Sequence, residues 1–466
     1  MEFLDSFVNW SNNILWSYVL IGMLVGLGLY FTARIKFAQL SMLGEMCRLL
    51  KEGTSKEGGQ ISSFQAFCIS TASRVGVGNI AGIAIAIMVG GPGAIFWMWV
   101  IALLGAASGF VESTLAQIYK VRDPLTGGFR GGPAYYIKNC LGNAKAAALF
   151  AILISVTFGM CFNSVQSNTI TDALNTQFGI NKYAICVALT AISGVVIFGG
   201  IKRIATLSSW LVPLMATSYL LMAVIVIILN ITEVPGMIAT IISKAFTPDA
   251  AVGGISAAIL TGAKRGLFSN EAGMGSVPNA AATATVSHPV KQGLVQALGV
   301  FVDTMVVCTA SACIVLLFDG YADAGVKGVA LVQLALSSEL GSFAGVLITI
   351  MVFMFAFSSI AGNYYYGESN IQFFSEKPIW LFIFRALCVA MVAFGSLAPL
   401  PFVWNLADLF MAFMAIVNLV AITILGRNAF IALKDYQDQK KAGIANPVFH
   451  PEQLPDQKGI TVWNEK

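Results

Sequence analysis

Runs of about 20 mostly apolar residues recur about eleven times along the chain, and this recurrence limits the fold more than any motif does. A helix of that length crosses the hydrocarbon layer of a bilayer, where every backbone N–H and C=O must be satisfied within the segment. The runs cover 14–33, 62–89, 93–118, 146–171, 183–200, 206–230, 251–285, 290–317, 341–370, 379–397 and 401–426. Only 11% of the residues are charged and 57% are hydrophobic, whereas a soluble globular chain carries roughly 25% charged residues. This excludes a soluble enzyme, a disordered regulator and a disulfide-built secreted module. The expected architecture is an all-α integral membrane protein with eleven transmembrane helices.

His288 and His450 are too few for a His-rich zinc or haem site, and the eight cysteines show no CxxC pair. Cysteines in apolar runs behave as small hydrophobes, so they read as reduced packing residues. The first thirteen residues carry Glu2 and Asp5 but no basic stretch, so no cleavable signal peptide is expected. With the N-terminus outside and eleven alternating spans, 21 of the 27 basic residues fall on the cytoplasmic side. Only Lys182, Lys244 and Lys327 fall outside. This is the positive-inside asymmetry, and a wrong span count would scramble it. The polar tail from Arg427 onward reads as a solvated cytoplasmic end, and 231–250 as an interfacial connection.

Arg74, Lys264 and Arg265 lie within apolar runs, where charge is costly and marks a protein interior or a cavity. Arg74-Val75-Gly76-Val77-Gly78-Asn79 interrupts the second run, and Gly266 to Ser276 interrupts the seventh. Glycine weakens a helix by roughly 1 kcal/mol relative to alanine. It also lets non-helical backbone approach a ligand. Four runs follow each broken one, so the chain divides as one helix plus two sets of five. Five is odd, so the second set (251–426) enters the membrane inverted relative to the first (62–230), after an extra N-terminal helix and loop (1–61). Paired broken helices in inverted repeats point to the midplane site of a secondary transporter. Half-helix N-termini there offer N–H groups to a carboxylate, and freed carbonyls offer oxygen to a cation. Close helix packing would explain the glycines, but not the clustered Ser, Asn, Arg and Glu.

With these residues in view the chain resembles the alanine or glycine:cation symporter family of the amino acid–polyamine–organocation group. The resemblance rests on Gly76-Val77-Gly78-Asn79-Ile80-Ala81-Gly82, Gly90 to Trp99, Gly131-Gly132-Pro133-Ala134-Tyr135-Tyr136-Ile137, Gly266 to Pro278 and Tyr364-Tyr365-Tyr366-Gly367-Glu368. It implies the leucine-transporter fold and sodium-driven uptake of a small neutral amino acid across the bacterial inner membrane. It implies no other cofactor and no nucleic-acid partner; the remaining contact is membrane lipid. The substrate is then expected between Ser73, Arg74, Val75, Gly76, Val77 and Gly78 on one break and Phe268, Ser269, Asn270, Gly273 and Met274 on the other. Phe162 and Gln166 share a helical face with Phe158 and complete that pocket with Asn363. Similarity to sodium-coupled transporters of this fold implies a cation held by the carbonyls of Ala72 and Val75 and the hydroxyls of Ser358 and Ser359. Asn79 is implied at a second cation position.

The chain departs from the family pattern at Ser73-Arg74, where many members carry small or hydroxyl residues. It departs again at Asn363, where many carry Trp. An amide in place of an aromatic wall enlarges the pocket and adds a donor and an acceptor, which brings glutamine and serine into range beside alanine and glycine. Arg74 is expected to pair with Glu271 or Asp303, since an unpaired buried charge is expensive, or to meet the substrate carboxylate. Three rival readings remain. A proton-coupled symporter would use Glu271 and Asp303; an ion channel needs no paired broken helices; an intramembrane enzyme lacks a catalytic motif here.

Overall fold

The computed structural model describes residues 2–52, 61–124, 126–199, 201–247, 251–252 and 255–464. Helices follow the apolar runs, and two short ladders interrupt them. These are Val121–Arg122 with Phe129–Arg130, and Ala251–Val252 with Ile255–Ser256, so the chain is mostly rather than wholly helical. Among the described residues eight helices are long and apolar enough to cross a membrane. A ninth is gained when the pair Ser63–Arg74 and Val77–Gly90, bent by 58°, is taken as one span. Lys182–Ile197 in the fifth run and Ala257–Asn270 in the seventh are shorter, at 16 and 14 residues. Val187, Trp210 and Phe343 present 71, 78 and 73% of their surface outward. Side chains of that kind suit a hydrocarbon solvent rather than water.

The first break is bounded by ordinary helix chemistry. Ser62 opens Ser63–Arg74 with a capping box, accepting from Gln65 N at 3.1 Å and donating its own N–H to Gln65 Oε1 at 3.0 Å. The α-helix then stops at Arg74, a single 3-10 turn forms over Val77–Asn79, and the α-helix resumes at Ala81. In the seventh run Ala257–Asn270 ends on Glu271, which adopts the left-handed conformation at φ +57°. That conformation costs a non-glycine residue on the order of 1–2 kcal/mol, so its neighbours must hold it there. Gly273 and Gly275 follow at φ +82° and +87°, where glycine carries no such penalty, and Val277–Ala281 resumes the helix.

Small residues bring the bundle together around these breaks. Gly262 packs on the backbone of Gly93–Ile118 so closely that an added Cβ would meet the Ala94 carbonyl oxygen.

The C-terminal segment departs from the expected solvated end. The last helix runs 42 residues, Leu400–Lys441, well past its apolar run. Its polar end finds partners: Tyr436 Oη donates to Glu45 Oε1 at 2.5 Å, and His288 Nε2 lies 3.1 Å from Asp435 Oδ2. The chain then folds back and buries Phe449, Leu454 and Ile460. Trp463 Nε1 donates to the Gln117 carbonyl at 2.8 Å. Lys120 sits 4.1 Å from the Phe129 ring centroid and 5.0 Å from that of Trp463. Burial pushes its ammonium down to about 7. Single apolar residues scattered through a polar stretch carry no periodic signal.

Candidate functional site

The two breaks lie against each other. Asn79 Nδ2 donates to Ser269 Oγ at 3.0 Å and to Asp303 Oδ1 at 2.6 Å. Ser73 Oγ lies 2.9 Å from Glu271 Oε1. A Cβ on Gly78 would come within 2.6 Å of the Phe268 ring. The helix runs unbroken from Ala257 to Asn270, so the interruption starts at Glu271 rather than at Gly266, and Phe268 rests on the first break from the helix end that leads into the second. Asn79 also closes its own break, its Oδ1 accepting from Gly76 N at 3.0 Å.

Two further helices flank this junction. From Ala144–Phe178, Gln166 Oε1 accepts from the freed N–H of Val77 at 3.1 Å. Phe162 stacks on Phe268 with centroids 4.4 Å apart and packs on Phe158 at 4.6 Å, so the expected stripe does share one face. From Ser342–Phe374, Ser359 Oγ lies 2.9 Å from the Ala72 carbonyl and 3.0 Å from the Phe355 carbonyl of its own helix, so its one hydrogen serves either acceptor. Ser358 instead donates to the Phe355 carbonyl at 2.8 Å and lies 3.6 Å from Met215 Sδ. Asn363 Nδ2 donates to Asn163 Oδ1 at 3.1 Å, and its Oδ1 lies 2.6 Å from Ser73 Oγ. Ser73, Asn79, Gln166, Phe268, Ser359 and Asn363 are all at most 4% exposed, so the junction is shut off from water in this conformation.

Other expected site residues sit at the edge of this cluster. Val75 caps the end of the first half-helix. Asn270 Oδ1 accepts from Ala272 N at 3.0 Å, and Met274 N donates to the Glu271 carbonyl at 3.2 Å, which shapes the second break. Arg74 forms neither expected carboxylate pair. Its Nη1 donates to the Gln296 carbonyl at 3.1 Å, while Nε and Nη2 are buried without a hydrogen-bond partner. Both acids are engaged elsewhere, Glu271 by Ser73 and Ser276, and Asp303 by Asn79, Ser269 and Thr304. Lys264 and Arg265 do not line the second break either. They lie on the helix before it and share Asp408: Arg265 bonds that carboxylate directly, and Lys264 Nζ is 3.8 Å away.

Glu112 escaped the sequence reading as a site residue. Its carboxylate accepts from Gly273 N and Gly275 N, both at 3.1 Å, and from Asn418 Nδ2 at 2.7 Å. Tyr136 in turn donates to Asn418. Glu112 thus satisfies the N–H groups that the second break frees. A lone acid in an apolar run was the available signal, but its target lies 161 residues away in sequence.

The sodium:alanine symporter family model matches residues 1–451. The chain belongs to this family. Over 464 residues it is 53% identical to the Bacillus subtilis (strain 168) protein named Probable sodium/glutamine symporter GlnT, covering 99% of this chain and 96% of that one. Amino-acid carrier protein AlsT of the same strain is 49% identical, with 100 and 99% covered. Sodium/alanine symporter AgcS of Methanococcus maripaludis is 36% identical, with 95 and 99% covered. The fold is shared with a solved manganese transporter from Eremococcus coleocola at TM-score 0.50 and 11% identity, covering 82% of this chain and 90% of that one. This member of the sodium:alanine symporter family is therefore a multi-pass membrane transporter and not an enzyme.

Proposed function

We propose that the protein takes up a small neutral amino acid (alanine, glycine, serine or glutamine) together with sodium, by alternating access across the bacterial cytoplasmic membrane. The observation that carries this reading is the direct apposition of the two helix breaks at Asn79–Ser269 and Ser73–Glu271, in a chain of a symporter family. Two half-helices that meet at a water-excluded junction give a carboxylate and an ammonium group both N–H and C=O partners. In this reading eleven spans are arranged as one plus an inverted pair of fives, with Lys182–Ile197 and the broken run at Ala257–Asn270 counted beside the eight or nine long helices. Each proposed five carries a short extra helix after its second member, Pro133–Asn139 in one and Val329–Leu340 in the other. Sodium is a hard cation that takes oxygen ligands, and the Ala72 carbonyl and Ser359 hydroxyl meet across two helices. Ala72, Val75, Ser358 and Ser359 form the proposed cage, with Asn79 at a second position. Uptake into proteoliposomes with and without a sodium gradient, at fixed pH, tests the coupling. Equal uptake in both would favour proton coupling in the same fold.

The reading places the N-terminus outside and the C-terminus in the cytoplasm. A reporter after Lys466 is expected to register cytoplasmic and one after Asn12 external. Two cytoplasmic signals would break the eleven-span arrangement.

Selectivity follows from the two amides. Gln166 and Asn363 present donors and acceptors beside the junction, and a site that bonds a polar group discriminates strongly against analogues that leave it unpaired. Unlabelled glutamine or serine is expected to compete with labelled alanine at least as well as unlabelled alanine does. Asn363→Trp removes the amide next to Ser73 and fills space, so it should weaken glutamine competition about ten- to a hundredfold while sparing alanine and glycine. Failure of glutamine to compete in the wild type would make Asn363 a packing residue.

A further inference from the structure

The polar chain linking Gly159 to Glu271 has a direction. The Gly159 carbonyl only accepts, so the Asn163 atom 3.2 Å from it is Nδ2. Asn163 Oδ1 then accepts from Asn363 Nδ2 at 3.1 Å, which turns Asn363 Oδ1 toward Ser73 Oγ at 2.6 Å. An amide oxygen carries no proton, so the Ser73 hydroxyl donates to it. Ser73 has a single hydroxyl hydrogen, yet its Oγ also lies 2.9 Å from Glu271 Oε1. That contact needs a proton from the glutamate side. At the other oxygen, Ser276 Oγ donates to Glu271 Oε2 at 2.6 Å.

We infer that Glu271 is a proton-binding site: it stands in the assembled junction as a neutral carboxylic acid, its Oε1–H donating to Ser73, and this proton clasps the two helix breaks together. A protonated carboxyl offers one donor and one free acceptor oxygen, which matches the two contacts made. The neighbouring acids differ. Glu112 accepts from two backbone N–H groups and Asn418, and Asp303 accepts from Asn79, Ser269 and Thr304; three donors each suit ionised carboxylates. The charges agree. Glu271 is 1% exposed, and facing it are Arg74 from the second run, Asp303 from the eighth and Tyr366 from the ninth. Arg74 is the single cation in that group. With Glu271 neutral, the buried cluster of Glu112, Glu271, Asp303 and Arg74 holds two carboxylates against one guanidinium instead of three.

Removing the proton leaves Ser73 Oγ, its hydrogen given to Asn363, facing a bare carboxylate oxygen. Two acceptors then oppose each other where a hydrogen bond stood, and the contact between the breaks opens. Closing of the junction is thereby linked to a proton bound at Glu271, distinct from the proposed sodium cage. The inference rests on the symporter reading only for this consequence.

The test observes the proton itself and so succeeds or fails independently of uptake. Infrared difference spectra of the purified full-length protein, with glutamate carboxyls isotopically labelled, are recorded between about pH 5 and about pH 9. The expected result is a labelled C=O stretch of a protonated acid that is absent from Glu271→Gln. Should that variant not fold, Ser73→Ala serves instead. It removes the proton's acceptor and should move the same band to higher frequency. No labelled protonated-acid band at any pH, a band that persists in Glu271→Gln, or a band unmoved in Ser73→Ala would each overturn the inference.

Discussion

Gly76→Ala is expected to reduce uptake by at least about a hundredfold while leaving expression near the wild-type level. Gly76 has φ −125°, so the substitution meets no conformational penalty there. The effect is steric. An added Cβ would land on Ser359 Oγ and lie 3.0 Å from Gln166 Nε2 and 3.1 Å from Gln166 Oε1. Both side chains are committed, Ser359 to the Ala72 carbonyl and Gln166 to Val77 N. Overpacking a close-packed interior costs roughly 1–3 kcal/mol, and a hundredfold in rate corresponds to about 2.7 kcal/mol. The clash also displaces the hydroxyl proposed to hold sodium, so the two costs fall on one step. Gly22→Ala is the control, because a Cβ there meets nothing within 4 Å. Uptake of labelled substrate by proteoliposomes matched for protein content measures both. Wild-type uptake by Gly76→Ala would show that the junction opens wider than the structure implies.

Replacing Ser358 and Ser359 together with alanine is expected to raise the sodium concentration for half-maximal uptake by about tenfold or more. The two proposed oxygen ligands are lost, while the apolar packing is nearly kept. The structure adds an order to the single variants. Ser359 reaches across to the Ala72 carbonyl, whereas Ser358 bonds its own helix and lies beside Met215. A serine satisfied by its own helix is the common arrangement in membrane segments. Ser359→Ala should therefore carry most of the change and Ser358→Ala the lesser part. Uptake measured against sodium at saturating substrate resolves this. An unchanged sodium dependence in a well-expressed double variant would remove both serines from the cage.

Much of the bundle was legible from hydropathy, because a hydrocarbon solvent imposes length and internal hydrogen bonding on each crossing segment. The helices Gly93–Ile118, Ser342–Phe374 and Pro378–Leu397 lie where the apolar runs place them. Both breaks were also visible, since Gly76, Gly78, Gly273 and Gly275 combine with polar neighbours that an apolar helix does not otherwise contain. The C-terminal segment was not visible, because Phe449, Leu454 and Ile460 are buried by a fold-back without helical spacing.

At the site itself, composition and position along the chain determined that two interrupted helices and a face carrying Phe158, Phe162 and Gln166 would matter, whereas Ser358, Ser359 and Asn363 of the ninth run came from the family resemblance. The breaks and the face are local properties, set by periodicity and by the backbone freedom of glycine. Only the tertiary structure decided who pairs with whom. Arg74 bonds a backbone carbonyl rather than an acid, Arg265 bonds Asp408, and Glu112 takes the N–H groups of the second break. The physical reason is that a buried polar group is satisfied by whichever partner lies within about 3 Å in the right orientation. Separations of 143 residues for Arg265–Asp408 and 161 for Glu112–Gly273 leave no trace in local sequence.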